Sequence, residues 1–197
     1  MDKASVRSKI KQERRRLGRE FCHNAALSLL EQFQISKILN PFQHIAVYLS
    51  HDNEMGLGPL IQELWVQDKK VYLPVLHPDR QNELCFIPYT QSTLLKPNKY
   101  GILEPEYIAS QIIELSSLDA VLMPLIAFDR QGHRLGTGGG YYDRTFSSAK
   151  TAKAPLLIGC AYQFQFYDML PAEAHDVPMD SVVTEQQIYQ FRERGSD

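Results

Sequence analysis

Asp119-Ala-Val-Leu-Met-Pro-Leu-Ile-Ala-Phe128 runs straight into Asp129-Arg-Gln-Gly-His-Arg-Leu-Gly-Thr-Gly-Gly-Gly-Tyr-Tyr-Asp-Arg144. The first segment is the most apolar in the chain, which predicts a strand buried on both faces, as in a parallel sheet covered by helices. The second is a polar, glycine-rich loop predicted to enter a helix near Gly140 or Tyr141. In open α/β sheets ligands gather beyond the carboxyl ends of the strands. A site is therefore expected at this junction.

On either side, short apolar runs at residues 45–50, 70–76, 84–89, 156–162 and 181–184 read as further strands. Residues 58–68 and 107–116 read as helices between them. Residues 3–33 form a helical lead, divided at Gly18, with Val6, Ile10 and Leu17 toward one face. Lys3, Arg7 and Lys11 lie four apart, a basic row along one side. The alternation predicts one domain over residues 1–197: a basic N-terminal helix packed on an α/β layered body with a mostly parallel sheet.

The chain has 197 residues, 44% hydrophobic and 22% charged, which excludes disorder, collagen and coiled coil. A domain of that size buries roughly 70% of its unfolded surface, so it needs no disulfide or metal to fold. The longest apolar run, from Ala120 to Phe128, is broken by Pro124 and reaches about half a membrane span; no membrane partner is expected. The charged start lacks the features of a secretory leader. Cys22, Cys85 and Cys160 are too far apart for a disulfide framework or a metal motif and read as reduced thiols. The expected location is cytoplasmic. Net charge is −2, yet residues 1–20 hold eight Lys and Arg against three acidic residues, giving +5 and leaving −7 elsewhere. Such a lead suits a polyanion such as a nucleoside triphosphate, or simply a solvated face.

Gly136, Gly138, Gly139 and Gly140 put four glycines in five residues. Such a loop lets backbone N–H groups converge on an anion, and a following helix adds its dipole. Arg134 and Arg144 flank it with guanidinium forks suited to phosphate. Asp143 would then be a hard oxygen ligand for magnesium beside those phosphates. A flexible glycine turn with a surface aspartate remains the plainer reading. No Lys-Ser or Lys-Thr ends the loop, and Tyr141 stands where a dinucleotide fingerprint needs glycine. No metalloprotease or nucleophile-elbow motif is present. His51, His133 and His175 fall in loops and read as supporting groups. Glu54, in the loop after the first strand, is at the right end of the sheet to meet a ligand.

The stretch from Arg134 to Arg144 resembles the signature of the 5-formyltetrahydrofolate cyclo-ligase family. So do Gly101-Ile-Leu-Glu-Pro105, Pro124-Leu-Ile-Ala-Phe-Asp129, Gly159-Cys-Ala-Tyr-Gln-Phe-Gln165 and His175-Asp-Val-Pro-Met-Asp180. The resemblance implies ATP- and Mg2+-dependent closure of 5-formyltetrahydrofolate to 5,10-methenyltetrahydrofolate, with release of ADP and phosphate. ATP phosphorylates the formyl oxygen, N10 attacks the activated carbon, and phosphate leaves. It implies ATP contacts at Lys3, Arg7, Arg134, Leu135, Gly136, Thr137, Gly138, Gly139, Gly140, Tyr141 and Tyr142. Folate contacts fall at Leu49, Glu54 and the Thr137 to Tyr141 part of the loop. Asp143 and Asp180 are the implied magnesium ligands, and Arg144 and Tyr142 the catalytic groups. Some members carry Lys where Gly139 stands, and Thr137 is variable. The implied fold is the Rossmann-like type shared with ribose-phosphate isomerases and CoA transferases. Apart from the resemblance, a monomer is expected.

Two rivals remain. A sugar-phosphate isomerase of similar fold would use the glycine loop but leave Lys3, Arg7 and Asp143 idle. A nucleic-acid binder would use residues 1–20 alone, against an acidic remainder that lacks an aromatic RNA-binding signature.

Overall fold

The computed structural model describes residues 2–147, 154–173 and 176–191. His175 lies outside the described residues. Helix α1 (Lys3–Arg16) starts at Asp2, whose carboxylate accepts from the N–H groups of Ala4 and Ser5. It buries Val6, Ile10 and Arg14, a stripe at every fourth residue. Gly18 is extended and breaks the lead where the sequence indicates, and α2 (Arg19–Ser36) follows, burying Ala25, Ala26, Leu29 and Phe33. Then come β1 (His44–Ala46), α3 (Gly58–Val66), β2 (Lys70–Leu76) and β3 (Leu84–Pro88). A small hairpin pairs β4 (Leu95–Pro97) with β5 (Leu103–Pro105). The rest is β6 (Ala120–Pro124), β7 (Ala127–Asp129), β8 (Arg134–Leu135), α4 (Tyr141–Ser147), β9 (Leu156–Cys160), β10 (Phe166–Tyr167), β11 (Ser181–Val183) and β12 (Ile188–Gln190).

The main sheet runs in the order β12-β11-β9-β6-β1-β2-β3. Its five inner strands are parallel, and only the edges β12 and β3 are antiparallel. One face packs on α2 and α3 through Leu29, Phe33, Leu60 and Leu64 against Ile45, Val71 and Leu122. On the other face, sheet residues such as Phe86 and Val121 pack against Phe128, Phe146 and Met179. The expected α/β body is therefore present. No helix among the described residues is long and apolar enough to cross a membrane. Cys22, Cys85 and Cys160 are free thiols, the last two buried.

The apolar run at 119–128 is two strands, not one. Pro124 supplies no ladder donor, so β6 stops there, and the chain crosses to a separate three-stranded sheet, β10-β7-β8. The carbonyls of Leu125 and Ile126 at the crossing both accept from Gln165 Nε2, each at 2.8 Å. Residues 107–116 are not a helix. They make two single 3-10 turns around a contact in which Ile113 N–H donates to Phe86 O at 3.1 Å. The strand expected at 45–50 ends at Ala46, and the chain then swings out to form a wall of the site.

Asp129, with no exposed surface, fixes the turn that leads to the glycine loop. Its Oδ1 accepts from Gln131 N and His133 N at 2.9 and 3.0 Å, and its Oδ2 from Leu170 N at 3.0 Å. His133 Nδ1 lies 3.1 Å from Oδ2. A buried carboxylate is tolerable only when its acceptor sites are filled in this way. Asp129→Asn removes the charge and turns an amide N–H2 toward donors. We expect a loss of about 3 kcal/mol, lowering the melting temperature by roughly 6–12 °C. An unchanged melting curve would contradict this role.

Candidate active site

A cavity of about 610 Å³ opens beyond the carboxyl ends of β1, β2 and β6. Leu49, Leu73, Leu76, Leu84, Ile102 and Leu125 make its apolar walls. Its polar groups come from three directions: Lys11, Arg14 and Arg15 on α1, His51, Asp52 and Glu54 after β1, and the loop from Arg134 into α4. Of the sequence-predicted residues, Leu49, Glu54, Arg134, Gly136, Thr137, Gly139, Gly140, Tyr141, Tyr142 and Asp143 line this one cavity. Lys3, Arg7, Leu135, Gly138, Arg144 and Asp180 are not among its lining residues.

Arg7 nevertheless holds the loop. Its Nε donates to the Gly136 carbonyl oxygen at 2.9 Å, and a side chain at Gly138 would start 3.9 Å from its Cζ. Lys3 is turned elsewhere: its Nζ lies 2.8 Å from Glu173 and 3.3 Å from Asp176, and the Glu173 bond raises its pKa. Leu135 is buried with Val6 and Ile10, so it clasps α1 to the loop by its side chain. Arg144 is exposed and folds back, its Nη1 donating to Gly139 O at 2.7 Å. Gly140 has φ +65°, and a Cβ there would meet that Nη1 at 2.8 Å. A Cβ at Gly139 would sit 2.7 Å from the ring of Tyr141. A side chain at Gly139 would have to displace the Tyr141 ring, and at Gly140 the positive φ itself disfavours any residue but glycine.

Arg134 and Asp143 pair at 2.8 Å, and Arg134 Nη1 also donates to Val177 O. Asp143 Oδ1 accepts in addition from Val177 N at 3.1 Å. Asp143 is thus a structural partner on one oxygen while facing the cavity. Asp180, immediately before β11, is buried against the start of β9, where its Oδ2 accepts from Leu157 N at 2.8 Å. The helix after the loop, α4, is only seven residues long, so its dipole adds less than a full helix would. Across the mouth the hydroxyls of Tyr100 and Tyr141 meet at 2.7 Å. Burial, then that bond, pushes Tyr141 up to about 12. Tyr142 is raised further by burial, with the Glu54 charge adding to it, and stays a neutral hydrogen-bond donor.

Glu54 sits in a tight loop. Asp52 and Asn53 take positive φ, and Asn53 Nδ2 donates to Arg14 O at 2.9 Å, stitching the loop to the end of α1. Glu54 Oε2 accepts from His51 N at 3.1 Å. Burial raises its pKa above the usual 4.5, opposed by the His51 bond and the Arg14 charge. Arg14 itself was not legible as a site residue; the composition counts it only as one of eight basic groups. Its signal was positional. It continues the Val6, Ile10 stripe, where a third apolar residue belongs. The β4–β5 hairpin, which brings Asn98, Tyr100 and Glu104 to the rim, was missed as structure.

The model of the 5-formyltetrahydrofolate cyclo-ligase family matches residues 1–185. A Haemophilus influenzae protein named 5-formyltetrahydrofolate cyclo-ligase is 43% identical over 158 residues, 80% of each chain. One of that name from Escherichia coli K12 is 41% identical over 75% of this chain and 80% of its own. Among solved structures, 5,10-methenyltetrahydrofolate synthetase from Aquifex aeolicus superposes with a TM-score of 0.83 at 29% identity, covering 100% of this chain and 96% of its own. The synthetase from Mycoplasma pneumoniae gives 0.73 at 25% identity, over 94% and 99%.

Proposed function

The chain belongs to the 5-formyltetrahydrofolate cyclo-ligase family, and from that premise we propose an ATP- and magnesium-dependent ring closure of 5-formyltetrahydrofolate to 5,10-methenyltetrahydrofolate. One observation carries the reading. The glycine loop expected to hold ATP and the Leu49 and Glu54 pair expected to hold folate line the same cavity. A γ-phosphate and a formyl oxygen placed there share one enclosed space. The sugar-phosphate isomerase and nucleic-acid readings leave Glu54 and the apolar walls unexplained.

The chemistry asks for positioning and charge, not a covalent nucleophile. A formyl oxygen is a poor leaving group. Its attack on the γ-phosphorus makes an O–P bond and breaks the bond to ADP. The N10 lone pair then attacks the activated carbon, the C–O bond breaks, phosphate departs with that oxygen, and the N10 proton is given up to the departing phosphate. Arg134 and Arg7 supply positive charge beside the loop amides, and Tyr142 donates from the wall. Arg144 is a positioning residue that holds the loop turn through Gly139 O. Lys3, already paired with two carboxylates, anchors α1.

Among the described residues no three or more His, Cys, Asp or Glu converge on a metal-sized site. Magnesium held mostly by phosphate oxygens and water needs only one or two carboxylates. Asp143, facing the cavity, fits that role; Asp180, engaged at β9, is better read as structural. When bound, magnesium would offset phosphate charge that Asp143 alone would repel.

Purified protein given 5-formyltetrahydrofolate, ATP and magnesium should form the methenyl chromophore with one ADP and one phosphate per turnover. Active substrates that yield no chromophore would overturn the reading. Folate saturation should also depend on pH through Glu54. Its ionised form accepts hydrogen bonds from the pterin, and burial raises its pKa. As pH falls through that raised value, the folate KM should climb by about tenfold per unit, because only the charged form binds. Glu54→Gln should give a high KM at neutral pH and no such limb. A limb that survives in Glu54→Gln would assign the titration elsewhere.

A further inference from the structure

Arg14 is the most deeply buried charged side chain at the cavity, only 1% exposed. Its Nε and Nη1 have no hydrogen-bond partner among the described residues. Nη1 lies 3.8 Å from Glu54 Oε1 and Nη2 3.5 Å from Asp52 Oδ2. The first distance is a contact of charges too long to be a hydrogen bond, and the second is at its limit. A guanidinium that has given up water without gaining full partners is costly, and the cost is met when a ligand supplies the acceptor.

The folate headgroup has such an acceptor in the right company. A 2-amino-4-oxopterin presents along one edge the 2-amino donor, the N3–H donor and the O4 acceptor. A carboxylate can accept from the first two. A guanidinium beside that carboxylate can donate to the third. Glu54 and Arg14 are that pair, adjacent and both lining the cavity. Building on the folate reading above, we propose that Arg14 donates from Nη1 to the pterin O4. Arg14 and Glu54 together then select a 4-oxo over a 4-amino pterin. The 4-amino group turns a hydrogen-bond donor toward Arg14, where only an acceptor is welcome. Asp52 keeps the guanidinium in place through Nη2, and Asn53 fixes the end of α1 through the Arg14 carbonyl.

Equilibrium binding without nucleotide tests this, using 5-formyltetrahydrofolate and its 4-amino-4-deoxy counterpart. Wild-type protein should prefer the 4-oxo ligand by tenfold or more, on the order expected for one charge-assisted hydrogen bond. Arg14→Met should weaken the 4-oxo ligand about tenfold and leave the 4-amino ligand no weaker, so the preference shrinks by that factor or more. Arg14→Lys keeps a charge opposite Asp52 and Glu54, and should keep part of the preference. Equal loss for both ligands in either variant would make Arg14 a purely structural group and overturn the proposal. So would an intact preference in Arg14→Met, or none in wild-type protein. If Arg14→Met does not fold, the comparison rests on Arg14→Lys. There a selective, few-fold loss for the 4-oxo ligand supports the contact and a uniform loss refutes it. Wild-type protein that binds neither ligand would count against the folate reading itself, a separate outcome.

Discussion

The structure depends on one buried charge, Asp129. A carboxylate with no solvent must collect its donors from the protein, and here they come from Gln131, His133 and the backbone of Leu170. That requirement fixes the course of the chain between β7 and β8. It places Leu135 in the core beside Val6 and Ile10. The same helix then presents Arg7 to the carbonyl of Gly136. A basic helix and a glycine loop, about 130 residues apart in the chain, are thereby held as two sides of one opening.

Charge is distributed unevenly around that opening. At the loop end Arg134 is matched by Asp143 and by a backbone carbonyl, so its guanidinium is held in place before any ligand arrives. At the far end Arg14 Nε and Nη1 find no hydrogen-bond partner among the described residues, and burial raises the pKa of Glu54 beside them. A site built to hold phosphate benefits from fixed cations. A site built to recognise a polar ring edge keeps its donors and acceptors waiting. On the proposed function, the two ends would take two different substrates that meet in the middle.

The sequence made the sheet and the loop legible because both carry local signals. Apolar runs bounded by turn residues marked the inner strands, and four clustered glycines marked the loop. The failures have local causes too. Pro124 hid inside an apolar run, and its missing N–H split one strand into two, repaired by a glutamine some 40 residues downstream. The isoleucines near 112 looked helical, yet Ile113 pairs with a strand edge. Arg14 escaped because composition records a charge and not its direction. Only the helical period, read strictly, places it inward. Lys3 and Asp180 sit on familiar motif positions, but their carboxylate and backbone partners come from segments that sequence spacing cannot bring together.

The most direct test of the account follows the formyl oxygen. With that oxygen labelled as 18O, transfer of the γ-phosphoryl group to it and departure as phosphate must carry the label into inorganic phosphate. We predict one 18O in the phosphate formed per methenyl product. Phosphate without label, with the 18O recovered in water, would mean that the formyl oxygen never meets the nucleotide. It would contradict the claim that one cavity brings them together.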